Sequence, residues 1–226
     1  MSLTELLGVR SGVTAVIGSG GKTTLLRTLG EELAGRGQRV VLCTTTKIFP
    51  FDGLTNLITP TEDALIQALS DRKLVCAGSA LANSGKLTAP RIPLRRLAEL
   101  ADCVLVEADG AAHRPLKAHA PHEPAIPPEA ERVLCVVGVS GLGQPIVRAA
   151  HRPEIFSRLA GVSPSAPATI EAVAAVLNAE MLGECYFLNQ ADVPEERVQA
   201  GRLARLLHRP TVMGSLWKGV YAACGF

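Results

Sequence analysis

Aromatic residues are scarce: five phenylalanines, two tyrosines and one tryptophan make up 4% of the chain. Serial stacking of bases needs such rings, so a nucleic-acid platform is not expected. A dominant charge sign is also missing. Lys and Arg number 23 against 21 Asp and Glu, a formal net charge of +2, which gives no basic field to steer the chain onto a polyanion. No apolar run approaches the roughly 20 residues that span a bilayer, and no membrane segment is expected. Residues Met1 to Arg10 carry Glu5 and lack a basic stretch followed by a long apolar core, so no secretory leader is expected. None of the six cysteines forms a C-x-x-C pair, and five lie in or beside apolar runs such as Val40-Val41-Leu42-Cys43. That pattern reads as buried, reduced thiols rather than disulfides or a zinc site, and it fits a cytoplasmic setting.

The chain has 226 residues, enough for one sizeable α/β core, and a single nucleotide-binding domain over 1–226 is the expectation. Thr14-Ala15-Val16-Ile17 reads as a short buried strand running into glycines. Lys22 to Ala34 reads as a helix, with Leu25, Leu26, Leu29 and Leu33 on one face. Arg39 to Cys43 is a second strand, completing a βαβ unit. Further strands are predicted at Leu74 to Ala77, Cys103 to Glu107, Arg132 to Val139, Cys185 to Leu188 and Thr211 to Met213. Helices are predicted at Glu62 to Ser70, Leu94 to Leu100, Ile170 to Leu182 and Glu195 to His208. Apolar strands alternating with amphipathic helices predict a mostly parallel sheet with helices on both faces, a three-layer α/β sandwich. Ala77 to Pro93 and Gly110 to Pro128 resist this pattern and read as long loops.

Gly18-Ser19-Gly20-Gly21-Lys22-Thr23-Thr24 lies between the first strand and the first helix. Three glycines let the backbone turn several N–H groups onto one anion, and the helix points its positive end at the same place. Lys22 supplies a cation for outer phosphates and Thr23 a hydroxyl for Mg²⁺. The spacing is two residues shorter than G-x-x-x-x-G-K-[ST], which would need a glycine where Val16 stands. Val104-Leu105-Val106-Glu107-Ala108-Asp109-Gly110 ends a strand in two carboxylates. In a parallel sheet such an end lies at the ligand edge. There Asp109 is a candidate for holding Mg²⁺ with Thr23, and Glu107 with Asp109 for orienting a nucleophile; a solvated turn at Asp109-Gly110 is the plainer alternative. Thr44-Thr45-Thr46-Lys47 follows the second strand, with Lys47 a candidate substrate contact.

Asn189-Gln190-Ala191-Asp192 follows the strand around Tyr186-Phe187-Leu188 and is similar to the N-K-x-D element of GTP-binding proteins. A carboxylate at Asp192 can accept both N1–H and N2–H₂ of guanine. The same residues read equally well as a helix entry before Pro194, so ATP and GTP both stay open. His113, His119 and His122 gather near Arg114, Lys117 and Glu123. Their spacing matches no strong zinc signature, and a loop that reads a small anionic second substrate through Arg114, Lys117, His122 and Glu123 is the preferred reading. His151-Arg152-Pro153-Glu154 reads either as a substrate contact or as a helix cap.

Taken in order, Gly20 to Thr24, Thr45-Thr46-Lys47, Gly85-Lys86-Leu87, Glu107-Ala108-Asp109-Gly110 and Pro115-Leu116-Lys117-Ala118 with His122-Glu123-Pro124 resemble one family. Gly138 to Pro145, His151 to Glu154 and Asn189 to Asp192 complete the set, from about residue 12 to 216. The resemblance is to the YqeC-type selenium-dependent hydroxylase accessory proteins. It implies a P-loop NTPase-like protein that binds ATP or GTP with Mg²⁺ and takes part in maturing molybdenum hydroxylases, with such enzymes as partners. Gln190 departs from the pattern where a lysine is common, His119 where proline is common, and Thr88-Ala89 where a glycine is expected. The short phosphate loop also resembles that of the Mur ligases, which makes a small-molecule kinase or ATP-dependent ligase an alternative; a nucleotide-gated maturation chaperone is another.

Overall fold

Every residue of Val40–Thr44 and of Cys103–Glu107 is buried. Strands buried on both faces need cover on both sides, which is the condition of a parallel α/β sheet. In the computed structural model, which describes residues 1–224, the backbone divides into two compact units. The first holds Met1–Val16, Thr23–Asp109 and Ala125–Arg132; the second holds Ile17–Lys22, Gly110–Pro124 and the remainder from Val133 on.

The first unit is built from α1 (Leu3–Leu6), β1 (Gly12–Gly18, as far as Val16), α2 (Lys22–Gly35, from Thr23), β2 (Val40–Thr44), β3 (Thr55–Ile58), α3 (Glu62–Arg72), β4 (Leu74–Ala80), β5 (Leu87–Thr88), α4 (Leu94–Leu100) and β6 (Cys103–Glu107). Its strands run in the order β1-β6-β2-β4-β3, all parallel, with β5 antiparallel on β4. The order explains how two far-apart motifs become neighbours. β6 pairs with β1 on one side and β2 on the other, aligning Glu107 with Val16 and with Thr44. On α2 the predicted leucine face is fully realised, with Leu25, Leu26, Leu29 and Leu33 all buried. Leu65 and Leu69 of α3 and Leu97 of α4 pack with Val41, Val75, Val104 and Val106 of the strands. Burying each such aliphatic side chain contributes about 1.5–3 kcal/mol before the entropy of ordering it is charged.

The second unit contains β7 (Leu116–Lys117), β8 (Ala130–Gly138, from Val133), a 3-10 turn at Val139–Gly141, α5 (Ile146–Ala149), β9 (Ala150–His151), α6 (Pro153–Ala160), α7 (Ile170–Glu180), β10 (Cys185–Asn189), α8 (Pro194–Ala204), β11 (Thr211–Ser215) and β12 (Val220–Cys224). Here β8, β10 and β11 are parallel neighbours, β12 closes the edge antiparallel to β11, and β7 and β9 make a separate two-residue ladder.

Several predicted ends move. The helix expected to reach Leu182 stops at Glu180, because Met181 takes a left-handed φ of 49° and returns its N–H to Leu177. The helix expected over Glu195 to His208 begins at Pro194 and ends at Ala204. The strand expected over Arg132 to Val139 runs from Ala130 to Gly138. The cysteines are free thiols, five of them buried. Burial pushes the Cys76 thiol up to about 12 and Cys103 to about 11, so both stay protonated and inert near neutrality. No helix among the described residues is long and apolar enough to cross a membrane.

Candidate functional site

In the first unit the acidic end of β6 meets the start of α2. The Thr23 hydroxyl donates to Glu107 Oε2 at 2.8 Å. Glu107 is 7% exposed and Asp109 1%, so both carboxylates lie out of bulk water although neither belongs to an apolar cluster. The Glu107 carbonyl is held twice, by the Thr44 hydroxyl at 2.8 Å and by the Thr45 N–H at 3.1 Å. The Thr45 hydroxyl donates to the Ala125 carbonyl at 2.7 Å, and Ala125 N–H to Ala108. The threonine cluster therefore fixes the backbone that carries the two acids. Lys47 is exposed beyond it. A hydroxyl and a carboxylate 2.8 Å apart form an all-oxygen donor pair of the kind that suits magnesium.

In the second unit the glycine loop is moulded on neighbouring backbone. Gly18, Gly20 and Gly21 take φ of 88°, 85° and 125°, values that side chains strain to reach. A Cβ on Gly20 would lie 2.5 Å from Gly138, and one on Gly21 would lie 2.4 Å from the Asn189 amide nitrogen. Ser19 anchors the turn, its N–H on the Val136 carbonyl at 2.8 Å and its hydroxyl on the Pro115 carbonyl at 2.9 Å. Lys22 is 6% exposed and its Nζ donates to the Gly18 carbonyl at 2.7 Å. The ammonium thus curls over its own loop at the point where α2 begins. Thr24, on the part of α2 that belongs to the first unit, is exposed.

The Asn189 to Asp192 segment is tied to the same loop. Asn189 Nδ2 donates to the Gly20 carbonyl at 2.7 Å, while Oδ1 accepts the Leu216 N–H at 3.1 Å. Gln190 has φ of 66° and its side-chain carbonyl accepts from the Ser140 hydroxyl at 2.6 Å. The Asp192 carboxylate accepts from the Ser215 hydroxyl. Its own N–H goes to Glu196 Oε2 at 2.8 Å, an acceptor shared with Val193 N–H at the entry to α8. The helix-entry reading therefore holds in part: the segment leads into α8, but the Asp192 side chain does not cap the helix.

The histidine-rich loop is arranged differently from its sequence reading. Lys117 is buried, donates to the Gly110 carbonyl at 2.5 Å and lies 3.6 Å from Glu123. Glu123 also receives two hydrogen bonds from Arg152, at 2.8 and 3.1 Å. The Arg152 hydrogen bonds, with Lys117 nearby, hold the Glu123 carboxyl down to about 2. Arg152 thereby serves as a tertiary clamp and also occupies the N-cap of α6, ahead of Pro153. His119 binds Glu180 through its N–H at 2.6 Å and its Nδ1 at 2.8 Å. Arg114 is exposed and donates to the Arg148 carbonyl; His122 and His113 are exposed too. No group of three metal-ligating side chains occurs among the described residues. Lys117 and Glu123 are thus turned toward each other, whereas Arg114 and His122 face outward.

Gly138, Gln190 and Arg152 fall in segments that the sequence singled out, though not for the contacts they make here. A glycine ending an apolar strand hints at close approach, which is what Gly138 supplies. Ser215 had no such marker.

A family model described as YqeC protein matches residues 14–154. The chain belongs to the YqeC family. The YqeC protein of Escherichia coli strain K12 is 34% identical over 163 residues, 70% of this chain and 64% of that protein. The matched stretch therefore spans somewhat less than two-thirds of the relative's length. Among solved structures, the hydrogenase maturation factor HypB from Archaeoglobus fulgidus is 13% identical, with a TM-score of 0.43 over 92% of this chain and 83% of that one. FtsY from Mycoplasma mycoides is 15% identical, with a TM-score of 0.43 over 95% and 63% of the two chains. The YqeC match contains the glycine loop, Glu107 and Asp109, and the Lys117, Glu123 and Arg152 cluster, whereas Asn189, Asp192 and Ser215 lie beyond it.

Proposed function

We propose that this chain binds a nucleoside triphosphate with Mg²⁺ on Gly18 to Thr24 and hydrolyses it, or transfers its phosphoryl group, in the maturation of selenium-dependent molybdenum hydroxylases. One observation carries the nucleotide reading: a loop emptied of side chains by three glycines at positive φ, closed by a buried lysine at a helix start. Such a loop offers backbone N–H groups and one cation to an anion, and its glycines give the backbone the positive φ this turn needs.

The residues then take distinct roles. Gly18, Ser19, Gly20 and Gly21 cradle the phosphates, Lys22 balances charge on the outer ones, and Thr24 borders them. Thr23, with the carboxylates Glu107 and Asp109, has the oxygen chemistry to hold Mg²⁺, which supplies charge neutralisation when bound. Asp109 would take a proton from the attacking water as its oxygen joins the γ-phosphorus and the bond to the bridging oxygen breaks, releasing the nucleoside diphosphate and phosphate. Asp192 faces the base, and Asn189 ties that segment to the phosphate loop through Gly20. Arg114, His122 and Lys47 remain as contacts for a small anionic second substrate, while Lys117 and Glu123 organise the loop that presents it.

Lys22→Ala is expected to lower triphosphate turnover by about 100-fold or more with an unchanged circular dichroism spectrum. Turnover equal to that of the unsubstituted chain would remove the reading. The maturation role predicts that a molybdenum hydroxylase co-purifies with the chain in a nucleotide-dependent way, and equal capture with and without nucleotide would count against it.

A further inference from the structure

The single tryptophan of the sequence, Trp217, is 89% exposed. It sits in the turn between β11 and β12, and its neighbours on both sides are pinned. Leu216 N–H donates to Asn189 at 3.1 Å, and Lys218 N–H to the Ser215 hydroxyl at 3.0 Å. Ser215 in turn holds the Asp192 carboxylate, and Lys218 Nζ donates to the Asp192 carbonyl at 2.7 Å. A large ring is therefore held in water on a braced turn, beside a residue whose carboxylate is held by Ser215 and whose backbone carbonyl is held by Lys218. Leaving a tryptophan exposed forgoes its burial energy, and such a ring beside a pinned polar group is the makeup of a ligand contact.

Gln190 cannot provide the flat surface, since its side chain is directed to Ser140 and its carbonyl oxygen would lie 2.3 Å from a Cβ on Gly138. Ser215 occupies one lone pair of Asp192 Oδ1, and a carboxylate offers about four. Two oxygens side by side match two adjacent N–H donors. Guanine presents such a pair at N1 and N2; adenine puts an acceptor, N1, where a donor is needed.

We propose that the β11–β12 turn is a guanine subsite, with Asp192 reading the N1–H and N2–H₂ edge, Ser215 fixing that carboxylate, and Trp217 stacking on the ring. This rests on the nucleotide reading above and commits it to GTP. Because Trp217 is the sole tryptophan, its emission reports on this turn alone. GTP with Mg²⁺ is expected to change that emission saturably and to raise the melting temperature, with ATP at least tenfold weaker in both. Trp217→Ala should weaken GTP about tenfold, the scale of one base–aromatic stack. Asp192→Asn keeps an acceptor for Ser215 but turns one carboxylate oxygen into a donor. It should prefer xanthosine triphosphate, whose ring carries a carbonyl at C2, over GTP, a gain that misfolding cannot imitate. Equal stabilisation by GTP and ATP, silent tryptophan emission and no xanthosine preference would overturn the guanine subsite and leave the nucleotide reading standing. If no triphosphate raises the melting temperature, both readings fall together.

Discussion

Two loops of the second unit each keep a lysine out of water, Lys22 at 6% and Lys117 at 5% exposure, yet they are built on opposite plans. Gly18 to Lys22 is kept empty: its glycines press backbone against backbone, and Lys22 lies over the Gly18 carbonyl. Gly110–Pro124 is filled from within, by Lys117 and Arg152 closing on Glu123 and by His119 on Glu180. Burial of a cation therefore has no single meaning. In the first loop the charge lies over the loop's own backbone. In the second, opposite charges repay one another's desolvation, which such pairs do only when geometry and hydrogen bonds are good.

The contrast can be broken most severely at Gly20. Alanine there meets both a φ of 85° and a Cβ position 2.5 Å from Gly138 backbone atoms that cannot rotate away. A loss of about 3 kcal/mol is expected, a drop in melting temperature of roughly 6–12 °C for a chain of this size. Gly143 has a similar φ of 77° with nothing within 4 Å, and alanine there should cost only about 1 kcal/mol. Equal losses in the two variants would refute close packing as the cause.

The filled loop breaks at Glu123. Glu123→Gln leaves Lys117 without its carboxylate and should cost about 2 kcal/mol by urea unfolding at neutral pH, with affinity for triphosphate unchanged. The acid dependence follows from the sign of the shift. The folded carboxyl sits at about 2, below its ordinary 4.5. The stability it contributes is complete above about pH 4.5 and disappears as pH falls from there through about 2. The urea midpoint of the unsubstituted chain should decline across that window more steeply than that of the variant. Parallel declines would show that Glu123 is not a source of the acid sensitivity.

The smallest effect belongs to His122, which is exposed. His122→Ala should leave stability within about 0.5 kcal/mol and triphosphate turnover unaltered in the absence of a second substrate. A loss of stability comparable to that of Glu123→Gln would place His122 inside the ion-pair cluster and erase the distinction between inward and outward residues of this loop.

What could be read without coordinates follows the range of the forces involved. The apolar strands Val40–Thr44 and Cys103–Glu107 and the leucine face of α2 are local patterns with a period, and they emerged as expected. The glycine loop was also legible, since its chemistry is contiguous. β3 is partly exposed and β12 more so; each depends on a neighbour for its form and leaves a weaker apolar signature. The inward turn of Lys117 depends on Glu123 and, through it, on Arg152, 29 residues further on. Likewise His119 depends on Glu180, 61 residues away. A charged residue in a loop looks the same in sequence whether it faces a substrate or a distant partner.

Asn189 carries a constraint of another kind. Its amide must give a proton to Gly20 at one end and take one from Leu216 at the other. Aspartate would set a lone pair against a carbonyl, leucine would answer neither group, and glutamine is one methylene too long for the gap. Asparagine answers both demands at this reach. The position is thus one where polarity and reach together narrow the choice of residue, at a strand end whose neighbours answer to neither demand.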